Sequence, residues 1–311
     1  MLDNIEKLVS NCPVVAIKYK YKNKINTAYA ECSWFSLTGS IKDRVAFQIL
    51  KDAYQMGLIN KGDRIVEVSS GNMGISLVAM ANITGNPITI IMPKNMSKER
   101  KQLLKMYGAE LIEVDDFKEA FKKCEELKQE GCFCTNQFDN FSNVRAHYEI
   151  TGLNLSNRLK NIPLKTFVAG IGTSGTLMGA GKRLKESFNI DIVALEPDNA
   201  RIITGDKPLQ KHKLQGLSDE ILPSLYNGEV VDRVIQITDN DAIAMSQKLC
   251  KCLSLGVGIS SGANFLGCVL VGDNSVTLFP DDNKKYLSTD LSIPIETELV
   301  NSIELLEVRC L

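Results

Sequence analysis

Histidine and tryptophan are close to absent from this chain: 311 residues include two histidines, His147 and His212, and one tryptophan. The nine cysteines contain no C-x-x-C pair, only Cys132-x-Cys134 and Cys250-x-Cys252 within apolar segments. With neither ligand type in metal spacing, a zinc site is not expected. No apolar run approaches the roughly 20 residues of a membrane-spanning helix. The opening Met1-Leu2-Asp3-Asn4-Ile5-Glu6-Lys7 lacks the charged-then-apolar order of an export signal. The odd, scattered cysteines then read as reduced thiols in a cytoplasmic protein. No strong charge of either sign is present, with 36 Lys and Arg against 37 Asp and Glu. That balance leaves no basic field for nucleic acid and no acidic tail. Repeats and low-complexity linkers are also missing.

What the chain does have is apolar sequence, 44% of its residues, enough for one large domain or two lobes. Short apolar runs alternate with helical periods from end to end, which predicts α/β layers around a mostly parallel sheet. Strands are expected at 27–35, 64–68, 87–93, 110–114, 167–171, 191–196 and 275–279. Helices are expected from Lys42 to about Gly57, over 75–82, from Ser97 as cap to about Gly108, from Phe117 to Gly131, and over 240–253. Residues 207–223 are polar and irregular, too long for a casual connection. The tail 299–311 reads either as a final packed helix or as an interface element.

Three strand-to-helix junctions, at 69–74, 172–176 and 258–262, are built from Gly, Ser, Thr and Asn. Ligands of open α/β sheets bind at such carboxyl ends of strands. Glycines admit a close approach of backbone, and free N–H groups at a helix start attract anions. Gly172, Thr173, Ser174, Gly175 and Thr176 offer backbone donors and three hydroxyls, a set suited to a dianionic phosphate monoester. Any one such loop is equally a tight turn with hydroxyl caps. The 172–176 loop lacks the Gly-Lys-Ser/Thr ending of a Walker loop, and a nicotinamide-binding fold is the weaker reading. Near the start, Thr38-Gly39-Ser40-Ile41-Lys42-Asp43-Arg44 sets Lys42 between a small-residue turn and an apolar run. A lysine becomes a nucleophile only when desolvation or a neighbouring cation lowers its proton affinity. Lys42 alone reads as a solvated first-turn residue. Beside three anion-receptive loops it is a candidate Schiff-base lysine for a phosphate-bearing cofactor that reacts with amines, of which pyridoxal phosphate is the obvious member.

A longer series of motifs runs in order through the chain: Gly39-Ser40-Ile41-Lys42-Asp43-Arg44, Ser70-Gly71-Asn72, Met92-Pro93, Met96-Ser97-x-Glu99-Arg100 and Asn136-Gln137-Phe138. It continues with Gly172 to Thr176, Gln215-Gly216-Leu217, Gly258-Ile259-Ser260-Ser261-Gly262-Ala263 and Tyr286-Leu287-Ser288-Thr289. Over essentially its whole length the chain resembles the cysteine synthase/cystathionine β-synthase family of fold-type II pyridoxal-phosphate enzymes. The resemblance implies a two-lobed α/β architecture, tryptophan synthase β-like, with mostly parallel twisted sheets. It implies a small, mobile domain at 36–146 carrying the substrate-carboxylate loop, and a large cofactor-binding domain from 1–35 and 147–311. It also implies a homodimer acting on a small amino acid, with no heme segment before the core and no regulatory domain after Leu311.

Carried over position by position, Lys42 holds the cofactor as an internal aldimine and then takes the Cα proton. Asn72 bonds the pyridoxal 3′-oxygen, and Gly172 to Thr176 cradle the phosphate. Ser69, Ser70 and Gln137 hold the substrate carboxylate, helped by backbone donors of the loop that includes Gly71 and Met73. Ser260 faces the pyridine nitrogen. A neutral serine leaves the ring a weaker electron sink than a carboxylate would, which favours loss of a β-leaving group, an α-aminoacrylate and β-replacement. His147 reads as interlobe packing and Cys32 and Cys268 as small core residues. The helix after Ser97, with Lys98, Arg100, Lys101 and Lys105, reads as a solvated face.

The chain departs from the family pattern in four places. Ser36-Leu37 stands for an Asn-Pro before the lysine turn, Met73 for a threonine, and Phe141 for a proline. The largest departure follows Gly216-Leu217, in the loop lining the amino-acid site. Glycine and alanine are usual there, but this chain has Ser218-Asp219-Glu220. A carboxylate repels anionic sulfide but can hydrogen-bond a substrate thiol and take a proton from attacking water. Asp219 thus points to L-cysteine plus water giving L-serine plus hydrogen sulfide. It can also be a solvent-facing turn cap. The alternatives are an O-acetylserine sulfhydrylase or a relative with another nucleophile, and, in a different class, a catalytically silent binding protein.

Overall fold

The computed structural model describes residues 2–69, 71–205, 209–218 and 222–311. Ser70, Asp219 and Glu220, all given roles or weighed above, lie outside the described residues. Two sheets organise the chain. The smaller is wholly parallel, in the order β5-β4-β3-β6, from β3 (Ile65–Val68), β4 (Ile88–Pro93), β5 (Glu110–Val114) and β6 (Phe133–Cys134). Every residue of β3 and β4 is buried, because helices cover both faces of a parallel sheet and shield both sides of each strand from water. The helix Asn72–Thr84, apolar nearly all round, packs on one face, and Ala120, Cys124 and Leu127 of the helix Phe117–Gln129 pack on the other.

The larger sheet has seven strands in the order β11-β1-β2-β10-β7-β8-β9. Its members are β1 (Val14–Tyr21), β2 (Lys24–Cys32), β7 (Thr166–Gly170), β8 (Asp191–Pro197), β9 (Arg233–Ile237), β10 (Ser275–Phe279) and β11 (Glu304–Cys310). The pairs from β2 through β10, β7, β8 and β9 are parallel, and β1 joins β2 and β11 antiparallel. Alternation sorts the side chains: Val15, Ile17 and Tyr19 face the helices Asp239–Leu253 and Ile259–Val271, whereas Val14 and Ala16 join Leu155, Leu177 and Leu184 on the other face. This is the mixed, largely parallel α/β class that the alternation of runs implies.

Two features differ from expectation. The strand expected at 27–35 is the second arm of a hairpin, Lys24–Cys32, whose turn residues Lys22 and Asn23 both have positive φ, 47° and 61°. A two-residue turn of that hand matches the twist of the strands, but Lys-Asn carries none of the glycine that marks it in sequence. The tail is not one packed helix: a single helical turn, Glu298–Asn301, leads into β11, which pairs along β1 from Lys20 to Val15. The open backbone edge of β1 is satisfied by that pairing, which a helix cannot supply.

One buried ion pair ties these layers to the start of the helix Lys42–Gln55. Arg44 and Glu31 are both fully buried and meet at 2.7 Å, and Arg44 Nη1 also donates to Thr151 Oγ1 at 2.8 Å. Asn154 donates to the other Glu31 oxygen at 2.6 Å. Removing one partner strands the other charge in the core, so Arg44→Ala is expected to lower the unfolding free energy by about 3–5 kcal/mol, read by urea denaturation. A loss below about 1 kcal/mol would show that the pair is not a structural anchor.

Candidate active site

Lys42 is the first residue of its helix, and the turn before it is sewn to the end of β10. Ile41 N–H donates to Pro280 O at 2.8 Å, and Ser40 and Asp281 form an isolated bridge. Asp43, fully buried, accepts from Thr38 N–H and from the Ser76 hydroxyl, both at 2.7 Å, which joins the turn to the helix Asn72–Thr84. With buried Asp43 and buried Arg44 directly after it, the Lys42 backbone has no freedom to slide. Its Nζ lies 3.5 Å from Thr173 Oγ1, across the cleft.

Thr173 belongs to the glycine-rich loop that follows β7. The next helix, 175–188, opens directly from the loop and passes through a π-helical stretch, Leu177–Gly181. A second helix, 141–158, carries its own π stretch, His147–Gly152, and crosses the first. His147, wholly buried, bonds Thr151 Oγ1 at 2.9 Å and Thr176 Oγ1 at 3.3 Å. Burial, then the charges of Lys42 and Arg44, hold its pKa well below the usual value, so it stays neutral. Asn143 on the crossing helix donates to Thr173 Oγ1 at 2.8 Å and to Gln137 O at 2.9 Å. A Cβ on Gly175 would sit 2.0 Å from Asn143 Oδ1, so only glycine fits. Ser174 takes a left-handed φ of 68°, and its buried hydroxyl has no hydrogen-bond partner among the described residues. A concave loop with an unspent buried hydroxyl, Thr173 beside a lysine, and Thr176 at a helix start fits a phosphate group. Pyridoxal phosphate, the cofactor of the family, suits this donor set.

The third wall holds Asn72 and its neighbours. The helix expected from 75 begins at Asn72, because Ser69 Oγ accepts from Gly71 and Gly74 N–H at 3.1 and 2.9 Å and folds the loop into the helix start. Asn72 Nδ2 donates to Asp281 Oδ2 at 2.7 Å, and Lys285 Nζ donates to Asn72 Oδ1 at 3.2 Å and to Gly39 O at 2.9 Å. Burial lowers the Lys285 pKa, against the opposing pull of Asp281 and Asp43. Arg100 is not on a solvated face. It is 1% exposed, its Nη2 donates to Tyr286 OH at 2.8 Å, and its guanidinium stacks 4.8 Å from that ring. Tyr286 OH in turn donates to Asp281 Oδ2 at 2.7 Å. Gly71, at φ 150°, leaves room for the Arg100 side chain, whose Cδ would lie 2.3 Å from a Cβ there. Ser97 occupies the cap position of the helix Lys98–Met106, yet its hydroxyl donates to Lys285 O instead of capping. Asp281, Lys285, Asn143 and Arg100 escaped the sequence reading. Only the Tyr286 motif hinted that this segment returns to the site.

One cleft, with about 910 Å³ of empty space partly open to solvent, brings the set together: Lys42, Ser69, Asn72, Met73, Gln137, Gly172, Thr173, Ser174, Thr176, Gly216 and Ser260 all line it, with Arg100 and Tyr286. Gly71 and Gly175 adjoin it in their loops without lining it. Gln137 is 4% exposed, and its amide donates to Val68 O while its N–H meets the Glu67 carboxyl, both at 3.3 Å. Full burial pushes the Glu67 pKa up to about 8. Ser260 is the second residue of the helix Ile259–Val271, and His212 reaches Ser218 O at 3.2 Å, at the rim. Cys32 and Cys268 are buried core residues, with burial pushing the Cys268 thiol up to about 12. Gly170-Ile171-Gly172-Thr173-Ser174-Gly175 does carry the Gly-x-Gly-x-x-Gly spacing, with Glu196 near the end of the next strand. Glu196 is spent elsewhere: its carboxylate accepts from Ile203 N–H, Thr204 Oγ1 and Gln236 Nε2, so it offers no ribose-binding acid.

Residues 5–281 match the family of pyridoxal-phosphate dependent enzymes. Cysteine synthase from Staphylococcus aureus is 37% identical over 301 residues, spanning 93% of this chain and 97% of that protein. Among solved structures, a hydrogen sulfide-producing enzyme from Fusobacterium nucleatum is 42% identical with a TM-score of 0.96, covering 100% of this chain and 98% of that one. A second structure of that enzyme, an aspartate-to-asparagine variant, is in complex with an α-aminoacrylate intermediate, and its TM-score is 0.95 over 99% of this chain and 98% of that one. The chain belongs to the pyridoxal-phosphate dependent enzymes, within the fold-type II group of cysteine synthase and cystathionine β-synthase. It is an enzyme of that group and uses pyridoxal phosphate.

The cradle makes a direct prediction. Gly175→Ala forces Asn143 away from Thr173 and Gln137, and the loss of one hydrogen bond to a charged group is worth about tenfold or more in affinity. Titration of the apoprotein with pyridoxal phosphate is expected to show that weakening. Unchanged affinity would place the phosphate elsewhere.

Proposed function

We propose that the enzyme converts L-cysteine and water to L-serine and hydrogen sulfide, a β-replacement on an L-serine-type amino acid. The observation that carries this reading is the acidic run after the cleft wall. Gly216 and Leu217 line the cleft, Ser218 N–H is pinned to Ile171 O at 2.8 Å, and the next residues are Asp219 and Glu220. The hydrogen sulfide-producing relative supports the direction. Its aspartate-to-asparagine variant, found with an α-aminoacrylate, supports a carboxylate acting late in the reaction.

When bound, the cofactor withdraws electrons from the substrate Cα, which loosens its proton and the β-substituent. Lys42 Nζ takes the Cα proton, with Thr173 Oγ1 beside it. Gln137 and the 69–74 loop, including Ser70, Gly71 and Met73, hold the substrate carboxylate, and the nearby Arg100 and Lys285 charges favour an anion. Asn72, held by its bonds to Asp281 and Lys285, would hydrogen-bond the ring oxygen. Ser260, on the cleft wall, would serve as a neutral partner for the ring nitrogen. Asp219 bonds the departing thiol and then takes a proton from the water that replaces it. In this proposal residues 36–146 act as the small domain that closes on the carboxylate, and the enzyme is a cytoplasmic homodimer. The cysteine synthase relatives favour a second reading, sulfide addition to O-acetylserine, which an acid at 219 opposes by charge repulsion.

L-cysteine supplied alone is expected to yield L-serine and sulfide, and Asp219→Asn to cut turnover by about 10²–10⁴-fold with cofactor absorbance retained. Absence of serine, or undiminished turnover by the variant, would overturn the assignment. Faster use of O-acetylserine with sulfide would favour the second reading.

A further inference from the structure

Two of the nine cysteines lie side by side outside the cleft. Cys124, buried in the helix Phe117–Gln129, and Cys134, half-buried at the end of β6, place their sulfurs 3.3 Å apart. A disulfide is ~2.05 Å long, so ~1.2 Å of sulfur travel would close the bond. A surface pocket lined by Lys128, Asn136, Phe138 and Ser224 reaches both residues. The two thiols are unequal. Hydrogen bonding from Cys124, then the Asn136 N–H and the Lys128 charge, makes Cys134 the more acidic, while its hydrogen bond to Cys134 and its burial raise Cys124. The accessible sulfur is thus the better nucleophile and the buried one is set to resolve.

We propose that Cys124 and Cys134 form a dithiol–disulfide site, oxidised by small-molecule disulfides, and that closing it loosens the substrate grip of Gln137. Cys134 Sγ attacks one sulfur of the small disulfide. A protein–reagent S–S bond forms, the reagent's own S–S bond breaks, and one small thiol leaves. Cys124, losing its proton to solvent, attacks Cys134 Sγ and expels the second small thiol. Two electrons pass from the protein pair to the reagent, which ends as two thiols.

The link to the cleft is short. Thr135 and Asn136 separate Cys134 from Gln137, and Asn136 already holds a left-handed φ of 47°. Thr135 Oγ1 and Gln137 N–H both bind the buried Glu67 carboxyl. From the helix side, Phe121 packs edge-on against Phe138, 5.9 Å between ring centres, and Phe117 and Phe138 line the cleft. Drawing Cys134 toward the helix therefore pulls on the segment that presents Gln137. This coupling rests on the carboxylate role proposed for Gln137, whereas the disulfide site itself does not.

The holoenzyme treated with hydroxyethyl disulfide and digested without reductant is expected to release a peptide joining Cys124 to Cys134, with the KM for the amino-acid donor raised roughly three- to tenfold. Dithiothreitol should reverse both changes, and cofactor absorbance should not move. Cys124→Ser should instead keep a hydroxyethylthio group, disulfide-bonded, on Cys134, and Cys134→Ser should show no change of KM on treatment. A map without the cross-link, or with Cys134 of the unmodified sequence stably capped, overturns the site. If the cross-link forms and KM is unchanged, Gln137→Ala separates the causes. A raised KM in that variant overturns the coupling alone, and an unchanged KM overturns the carboxylate role of Gln137 and leaves the disulfide site standing.

Discussion

The guanidinium of Arg44 is wholly buried beside Glu31, and the carboxylate of Asp43, one residue earlier, is wholly buried against Thr38 and Ser76. Two adjacent residues thus send opposite charges into two different parts of the core, one toward the large sheet and one toward the helix Asn72–Thr84. A charge in an apolar interior is costly unless it is paired and hydrogen-bonded. Arg44 is paired with Glu31 and Asp43 is held by hydrogen bonds from Thr38 and Ser76, so neither can leave its place without stranding a partner. Lys42, immediately before them, is the residue of this trio that lines the cleft. Its position is set by its neighbours' burial, and that is what aims a flexible side chain at one spot above the glycine-rich loop.

The far wall repeats the logic. Asp281 gathers Asn72 and Tyr286 on one oxygen, Tyr286 holds Arg100, and Lys285 bridges Asn72 to the carbonyl of Gly39. The segment 281–286 therefore connects the lysine turn, the 69–74 loop and the helix Lys98–Met106. Lys42, Arg100 and Lys285 gather around one cleft, with Asp281 3.9 Å from Arg100 balancing part of their charge, and the remainder suits ligands that bring a phosphate and a carboxylate. The π-helical stretches at His147–Gly152 and Leu177–Gly181 let two helices cross closely enough for Asn143 to reach the glycine-rich loop.

The parts of this arrangement that are local were readable from sequence. A lysine after a Gly-Ser turn, a strand emptying into Gly-Thr-Ser-Gly-Thr, and Ser260 at a helix start each announce themselves within a few residues, and the mixed parallel class follows from the alternation of runs. What depends on distant segments was hidden. Arg100 shares its helix with Lys98, Lys101 and Lys105 and looks solvated by composition; only Gly71 and Tyr286, arriving from elsewhere, bury it. The tail has spacing compatible with a helix, yet the open edge of β1 decides that it becomes a strand. The glycine spacing at 170–175 is ambiguous by itself, and the hydrogen bonds that occupy Glu196 remove the dinucleotide reading.

The central claim is that the buried neighbours of Lys42 make it, among all the lysines, the one that bonds the cofactor. Lys285 is the informative competitor, since it too is buried near the cleft and its proton affinity is lowered by burial. Borohydride reduction of the holoenzyme followed by peptide mapping tests this directly. The account predicts a stable pyridoxyl group on Lys42 and none on Lys285. A pyridoxyl group on Lys285, or on neither residue, would contradict it.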